Sequence, residues 1–251
     1  MDIKDGLQKT EGEINAFLMI GQSNMAGRGE FGDIAPISNK LCYMLRMGRW
    51  QKMSEPVNPD RPIFEGKFHS GISLAASFAD GLANESGARV GLIPCADGGT
   101  AISQWMPGTV LYDHAVMQCR LAQRSARLRG ILWHQGETDC KDDARVEAYK
   151  EKFITMITAL RRDLGDETLP VIIGELSYNI APVWGRAERV PRFNRILAEI
   201  VRELSYCALA SAEGLSMKED GIHFDAVACR ELGGRYLRAY TELVEKRSEE
   251  K

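Results

Sequence analysis

The chain has 251 residues, of which 44% are hydrophobic and 27% are charged, so it can bury one substantial core. Its net charge at pH 7 is -3 and its basic residues form no stripe, which argues against nucleic acid or an anionic membrane surface as a partner. Residues 1–13 are polar and of mixed charge, and no apolar run could span a bilayer, so we expect a cytoplasmic protein.

The first predicted strand is the compact apolar run at residues 16–20, which stops at Gly21. Such a run fills a strand that is buried on both faces of a parallel sheet. A glycine-bearing turn after the strand presents its residues at the carboxyl edge of the sheet, where α/β folds bind ligands. Ser23 lies on this turn, between Gln22 and Asn24. Taken alone, Ser23 fits a helix N-cap better than a nucleophile.

The rest of the chain alternates predicted strands and helices. Further strands are predicted at residues 41–46, 89–94, 130–133 and 170–174, with a short final strand at 206–210. Helices are predicted after a cap at Ser70 or Ser73, over residues 112–126, after a cap at Asp142 or Asp143, around residues 193–204, and after residue 225. Residues 47–70 carry three prolines and predict a long irregular loop.

This alternation favours an α/β fold with a parallel sheet and helices on both of its faces. The chain contains no internal repeat, low-complexity tract or linker, so residues 1–251 are predicted to form a single domain. Six cysteines lie scattered without a CxxC pair and are expected to be reduced.

Near the carboxyl terminus, residues 220–224 read DGIHF, which places His223 three residues after Asp220. A carboxylate at one ring nitrogen leaves the other nitrogen free to face a nucleophile, and a hydroxyl needs such a base to become reactive. The alternative is an aspartate that caps the last helix beside a surface histidine. With Ser23 the chain order becomes Ser, Asp, His, although residues 21–25 lack the second glycine of a G-x-S-x-G elbow.

Four motifs then follow in order along the chain: GQSNMAGRG at residues 21–29, GGTAISQW at 98–105, WHQGETD at 133–139, and DGIHF. Together they resemble the SGNH hydrolases, and within them the branch of sialate O-acetylesterases and acetylxylan esterases of carbohydrate esterase family six. The resemblance implies a flavodoxin-like three-layer α/β/α sandwich with a central, mostly parallel five-stranded sheet. It also implies hydrolysis of acetyl esters on sugars.

The resemblance assigns roles to the residues of these motifs. Ser23 matches the nucleophile, and Asp220 and His223 complete a catalytic triad. The oxyanion donors would be the backbone N–H groups of Ser23 and Gly99 and the side-chain amide of Gln135, since fixed dipoles stabilise the charge of a tetrahedral intermediate. The alternative for Gln135 is a polar loop residue that bonds to backbone.

Glu137 provides a second candidate acid, because it lies on the same predicted loop as Gln135. It could orient His223 instead of, or alongside, Asp220, or it could simply hold the Gln135 loop. We predict Asp220 as the acid because it shares a turn with His223.

Residues near the predicted nucleophile are candidates to contact substrate. Gln22, Asn24 and Arg28 belong to the serine motif, and Trp105 and Trp184 lie on predicted loops at the mouth of the site. For the two tryptophans the alternative is core packing, and for Arg28 it is a surface ion pair.

No residues have the spacing of metal ligands, because the segment from His134 to Glu137 is not HExxH. We therefore predict no metal and no cofactor, and a small-molecule or oligosaccharide acetyl ester as the substrate. Two alternatives stay open: acyl transfer or small-ester hydrolysis at the same site, and a non-catalytic flavodoxin-like module that binds phosphate on residues 21–29. No feature of the sequence selects a particular sugar or an oligomeric state.

Overall fold

The described part of the molecule is a layered α/β structure. The computed structural model describes residues 13–59 and 69–249. The expectations for the amino-terminal segment and for part of the predicted 47–70 loop therefore fall partly outside the described residues, which leave out 1–12, 60–68 and 250–251.

Seven strands make up the sheet within the described residues. They are β1 (Ile14–Gly21), β2 (Cys42–Arg46), β3 (Arg49–Lys52), β4 (Arg89–Pro94), β5 (Ala126–His134), β6 (Val171–Gly174) and β7 (Cys207–Ala210). Their order is β3-β2-β4-β1-β5-β6-β7. Strand β3 is antiparallel to β2, and the other neighbouring pairs are parallel. The central position of β1 explains its continuous apolar run, since both of its faces are covered.

Helices cover both faces of this sheet. They are α1 (Ser23–Ala26), α2 (Leu74–Ser86), α3 (Val110–Ala122), α4 (Asp143–Leu164), α5 (Val190–Glu203) and α6 (Ala226–Glu249). Along β1 the side chains alternate: Leu18 and Ile20 pack into the core formed with α3, α4 and α5, whereas Phe17 and Met19 pack into the core formed with α2 and α6. The predicted three-layer sandwich is confirmed.

The strand count is corrected from five to seven. One addition is β7, which was predicted as a short final strand, and the other is β3, which lies in the predicted 47–70 loop. Strand β3 carries no apolar run, because Trp50 is its single buried residue. A two-residue connection joins it to β2, in which Met47 and Gly48 have φ angles of 50° and 72°. Positive φ at both positions is typical of a type I′ hairpin turn.

Element boundaries also differ between α3 and β5. Helix α3 ends at Ala122, not at residue 126, and β5 begins at Ala126, four residues before the predicted strand. The early part of β5 is only partly buried, which is why no apolar run marks it. By contrast, the predicted cap of α4 is confirmed, because the Asp142 side chain accepts a hydrogen bond from the Arg145 N–H at 2.9 Å.

All six cysteines are buried and none forms a disulfide. Among the helices of residues 13–59 and 69–249, none combines the length and the apolar character that a membrane span requires.

Gly21 joins the central strand to the helix that carries Ser23. Its φ is 131°, and a Cβ at this position would lie 2.1 Å from the main-chain oxygen of His134 on β5. The next residue, Gln22, donates its N–H to that same oxygen at 2.9 Å. The turn after β1 is therefore pressed against β5, and only a glycine fits there.

We expect Gly21→Ala to destabilise the protein by about 2–4 kcal/mol, because it adds a backbone clash to the strain of a positive φ. Gly32→Ala is the matched control, since Gly32 has a φ of 113° and a Cβ added there would meet no atom within 4 Å. Thermal unfolding of both variants measures the difference. Equal melting temperatures would contradict the close packing of this turn.

Candidate active site

The four sequence motifs meet at the carboxyl edge of the sheet. Strand β1 leads into Ser23, strand β4 leads into residues 97–100, strand β5 leads into residues 135–139, and the turn at 220–224 precedes α6. Parallel strands with right-handed crossovers bring such loops to one edge, although they are far apart in sequence.

Three of the predicted residues form a continuous line of contacts. The Ser23 Oγ lies 2.9 Å from the His223 Nε2, and the His223 Nδ1 lies 2.8 Å from the Asp220 Oδ2. The second oxygen of Asp220 accepts the backbone N–H groups of Ile222 and His223, each at 3.0 Å. With a charged Asp220, the imidazole carries its proton on Nδ1 and presents a lone pair on Nε2 to the serine hydroxyl.

The surroundings of these residues favour a neutral His223 beside a negatively charged Asp220. Burial lowers the pKa of His223, and Arg28 and Lys218 lower it further, while Asp220 opposes them. Partial burial raises the pKa of Asp220, but the hydrogen bonds from Ile222 and His223 outweigh it and leave that pKa below its ordinary value. At neutral pH the arrangement can therefore accept a proton from the Ser23 hydroxyl.

Asn24 ties the serine turn to the histidine turn. Its amide donates to the main-chain oxygen of Ile222 at 3.2 Å, and its side-chain oxygen accepts the N–H of Phe224 at 3.1 Å. These two bonds hold the backbone on both sides of His223. Because Asn24 is buried and makes these bonds, the structure gives it a positioning role, and its predicted contact with substrate stays a prediction.

Glu137 does not contact His223 in the described structure. Its Oε1 accepts the Asn24 amide at 2.5 Å and lies 3.7 Å from the Nε2 of His134. Burial raises the pKa of Glu137, and the bond from Asn24 opposes this shift. The geometry therefore favours Glu137 as an anchor for Asn24, and Asp220 as the partner of His223.

Gln135 lies in a different network from the predicted one. Its Nε2 is 2.6 Å from the Asp139 Oδ2, 2.9 Å from the main-chain oxygen of Thr100 and 3.2 Å from the Gln22 Oε1. The Tyr149 hydroxyl donates to its side-chain oxygen at 2.9 Å. Since the two amide hydrogens have these acceptors, Gln135 fastens the loops beneath the site and offers no donor to an oxyanion.

Gln22 also bonds to other residues of the protein. Its side chain is buried, and its oxygen accepts from Gln135 and, at 3.3 Å, from the N–H of Thr138. It therefore supports the loop after β5, and its predicted contact with substrate stays a prediction.

Trp105 is buried in the core, contrary to the prediction that it contacts substrate. It lies on a 3-10 turn (Ile102–Trp105), its indole N–H donates to the Thr100 hydroxyl at 3.1 Å, and its ring meets Trp133 edge-on at 5.7 Å. The core-packing alternative is the correct one for this residue.

The predicted contribution of Gly99 rests on a close approach of its loop. A Cβ on the preceding Gly98 would lie 3.7 Å from the Ser23 Cβ and 2.8 Å from the Arg28 guanidinium. The loop after β4 and the start of α1 therefore face each other across a narrow gap. Arg28 itself lies beside the serine turn, where one of its nitrogens donates to the Gly27 oxygen at 2.7 Å.

Among the described residues, no cluster of three or more His, Cys, Asp or Glu side chains could hold a metal ion. His134, the nearest other histidine to the site, is buried and bonds through Nδ1 to the Tyr236 hydroxyl at 3.1 Å, and burial lowers its pKa to about 3. It is a structural hydrogen-bonding residue.

Comparison with known proteins gives one consistent result. Residues 13–242 match the model of the family described as "Carbohydrate esterase, sialic acid-specific acetylesterase". A probable carbohydrate esterase of Arabidopsis thaliana is 32% identical over 243 residues, which cover 89% of each chain.

Solved structures of other proteins share this fold. An X-ray structure of an Arabidopsis thaliana protein superposes with a TM-score of 0.79 at 30% identity, over 92% of this chain and 98% of that one. The crystal structure of NanS superposes with a TM-score of 0.74 at 16% identity, over 93% of this chain and 98% of that one, which is a likeness of fold.

The family match and these relatives define a carboxylic ester hydrolase. Within that class, the chain belongs to the sialic acid-specific acetylesterase family of carbohydrate esterases. A purely phosphate-binding module is therefore set aside.

Replacing each of the two carboxylates by its amide tests which of them acts on His223. We expect Asp220→Asn to lower kcat by about 10³-fold or more, because the imidazole loses the charge that stabilises its protonated form. Glu137→Gln should lower kcat by less than about tenfold, because a glutamine oxygen still accepts the Asn24 amide. Steady-state hydrolysis of p-nitrophenyl acetate measures both, and the opposite ranking would overturn the assignment.

Proposed function

We propose that this protein removes O-linked acetyl groups from carbohydrates of the acetylxylan, xylo-oligosaccharide or sialate type, through an acetyl-enzyme on Ser23. The observation that carries the proposal is the contact between the Ser23 hydroxyl and the His223 Nε2 at 2.9 Å. The family assignment supports the carbohydrate ester as the substrate class.

In the first half-reaction, the Ser23 Oγ attacks the acetyl carbonyl while His223 takes the hydroxyl proton. His223 then gives this proton to the departing sugar oxygen, and the acetyl group stays on Ser23. Asp220 stabilises the imidazolium from the Nδ1 side throughout. In the second half-reaction, water attacks the acetyl carbonyl while His223 takes a proton from it. His223 then returns this proton to the Ser23 Oγ as the bond between Oγ and the acetyl group breaks and acetate leaves.

The oxyanion of each tetrahedral intermediate needs preorganised donors. We propose the backbone N–H groups of Ser23 and Gly99. Ser23 is the first residue of α1, where backbone N–H groups have no intrahelical acceptor, and the approach of the loop at Gly98 supports the second donor. Each such donor typically contributes roughly 2.7–4 kcal/mol to the barrier reduction.

We also propose that the chain works as a single catalytic domain, because residues from Ser23 to His223 contribute to one site. The Asn24 bonds to the backbone beside His223 support this, since they join the first and the last motif. No cofactor enters any step of the proposed reaction.

Acetate release from a panel of substrates tests the proposal directly. The panel contains acetylated xylo-oligosaccharides, O-acetyl sialic acids and p-nitrophenyl acetate, and Ser23→Ala is the control. We expect turnover of at least one acetylated sugar, and a loss of about 10⁴-fold or more in the variant, which lacks the nucleophile. Residual wild-type-like activity in Ser23→Ala would exclude the acetyl-enzyme. Added alcohols separate hydrolysis from acyl transfer.

The pH dependence tests the role of His223. Its pKa lies below the ordinary 6.5, and the imidazole must be neutral to act as a base, so kcat/KM should fall with unit slope as the pH drops through this lowered pKa. Arg28→Gln removes a positive charge that lowers this pKa, so the acid limb should move to higher pH. Arg192→Gln on the outer face of α5 is the control and should leave the limb in place. An unmoved limb in Arg28→Gln would contradict this electrostatic account.

A further inference from the structure

Trp184 differs from the other three tryptophans in its exposure. Its residue is 41% exposed, whereas Trp50, Trp105 and Trp133 are each at most 2% exposed. Exposed tryptophan side chains commonly contribute to ligand or partner contacts, because the ring is large and one end of it is polar. Core packing therefore accounts for the other three indoles and leaves the position of Trp184 to be explained.

Trp184 is held against the histidine turn. Its indole N–H donates to the main-chain oxygen of Asp220 at 2.8 Å. Trp184 ends a 3-10 turn (Pro182–Trp184), and Ala181, the residue before this turn, donates its N–H to the Gly221 main-chain oxygen at 2.8 Å. A Cβ on Gly221 would lie 2.5 Å from the Ala181 Cβ, so the two turns are in close contact. The indole thus lies beside the residue whose carboxylate holds His223.

A second contact, with Arg186, holds one face of the Trp184 ring. The Arg186 guanidinium lies over the Trp184 ring, 5.3 Å from the ring centroid, and Arg186 is buried. This cation–π contact and the N–H bond set the plane of the ring. A preorganised ring loses little conformational entropy when a ligand packs on it.

Such a surface suits a sugar ring. One face of a pyranose presents several C–H groups, whose partial positive charge is attracted to the negative face of an aromatic ring. The proposed substrates carry a pyranose next to the scissile ester, and the acyl group must reach Ser23 while the sugar extends away from it. The Trp184 ring lies beside the Asp220 end of the Ser23–His223–Asp220 line, so a sugar that extends from Ser23 past His223 in that direction would reach its exposed face.

We propose that Trp184 is a substrate-binding residue that packs against a pyranose ring of the acetylated carbohydrate. This inference rests on the proposed function, and it adds the location of the sugar subsite to it. It distinguishes Trp184 from Trp105, which shares its sequence signal but is buried in the core.

The test compares a sugar ester with an ester that has no sugar. Trp184→Ala should raise KM by about tenfold for whichever of acetylated xylo-oligosaccharide, O-acetyl sialic acid or glucose pentaacetate the wild type hydrolyses. Its kcat/KM for p-nitrophenyl acetate should stay within about threefold of wild type, because this substrate needs no pyranose subsite.

Two further variants separate stacking from support of Asp220. Trp184→Phe keeps an aromatic face but removes the N–H bond, so it should retain most of the affinity for the sugar ester. Val183→Ala is the surface control, since Val183 is exposed on the same turn, and it should match wild type on every substrate. Equal losses of Trp184→Ala on sugar and aryl esters, or no loss on either, would overturn the subsite.

A binding measurement keeps this test separate from the proposed reaction. Ser23→Ala, with and without Trp184→Ala, is titrated with the same three acetylated sugars by calorimetry. Binding that weakens by about tenfold in the double variant supports the subsite even if the wild type releases no acetate. Binding that is unchanged overturns the subsite even if acetate release is confirmed.

Discussion

The buried amide of Asn24 is the interaction on which the geometry of the site depends. Its bonds to Ile222, Phe224 and Glu137 join the turn after the first strand to the turn before the last helix. A buried amide that loses its partners costs roughly 1–3 kcal/mol for each unsatisfied group, so the two turns cannot separate without that loss. The residue next to the nucleophile therefore fixes the distance between Ser23 and His223, although about two hundred residues separate them in the chain.

The sheet already positions the turn that carries Ser23 and Asn24. Strand β1 lies at the centre, and its end is pressed against β5 by the contact of Gly21 with the His134 oxygen. That contact sets where α1 begins and hence where the Ser23 hydroxyl points. The loop after β5 is tied in turn by Gln135, whose amide bonds to Asp139 and Thr100. Polar residues of the motifs thus form most of their hydrogen bonds with one another and with nearby backbone.

How much of this is predictable from the sequence depends on how local the determinant is. The contact of Asp220 with His223 is predictable because the two residues lie three positions apart in one turn. The strand at residues 16–20 is predictable because a strand that is buried on both faces has an apolar run in its sequence. The hydrogen-bond partners of Gln135 and the burial of the Trp105 side chain depend on which loops pack together. Residue type alone does not predict this packing. Strand β3 escapes prediction because an edge strand with one buried residue has no apolar pattern.

The two carboxylates near the histidine turn differ because their surroundings differ. Asp220 is partly exposed and receives three hydrogen bonds, and its pKa is lowered, so it stays charged beside His223. Glu137 is buried, and its pKa is raised, so its charge is disfavoured and its value is as an acceptor for Asn24. Pairs of carboxylates with opposite pKa shifts commonly divide their roles in this way. The division explains why a family motif can carry a glutamate so close to the base without that glutamate acting on it.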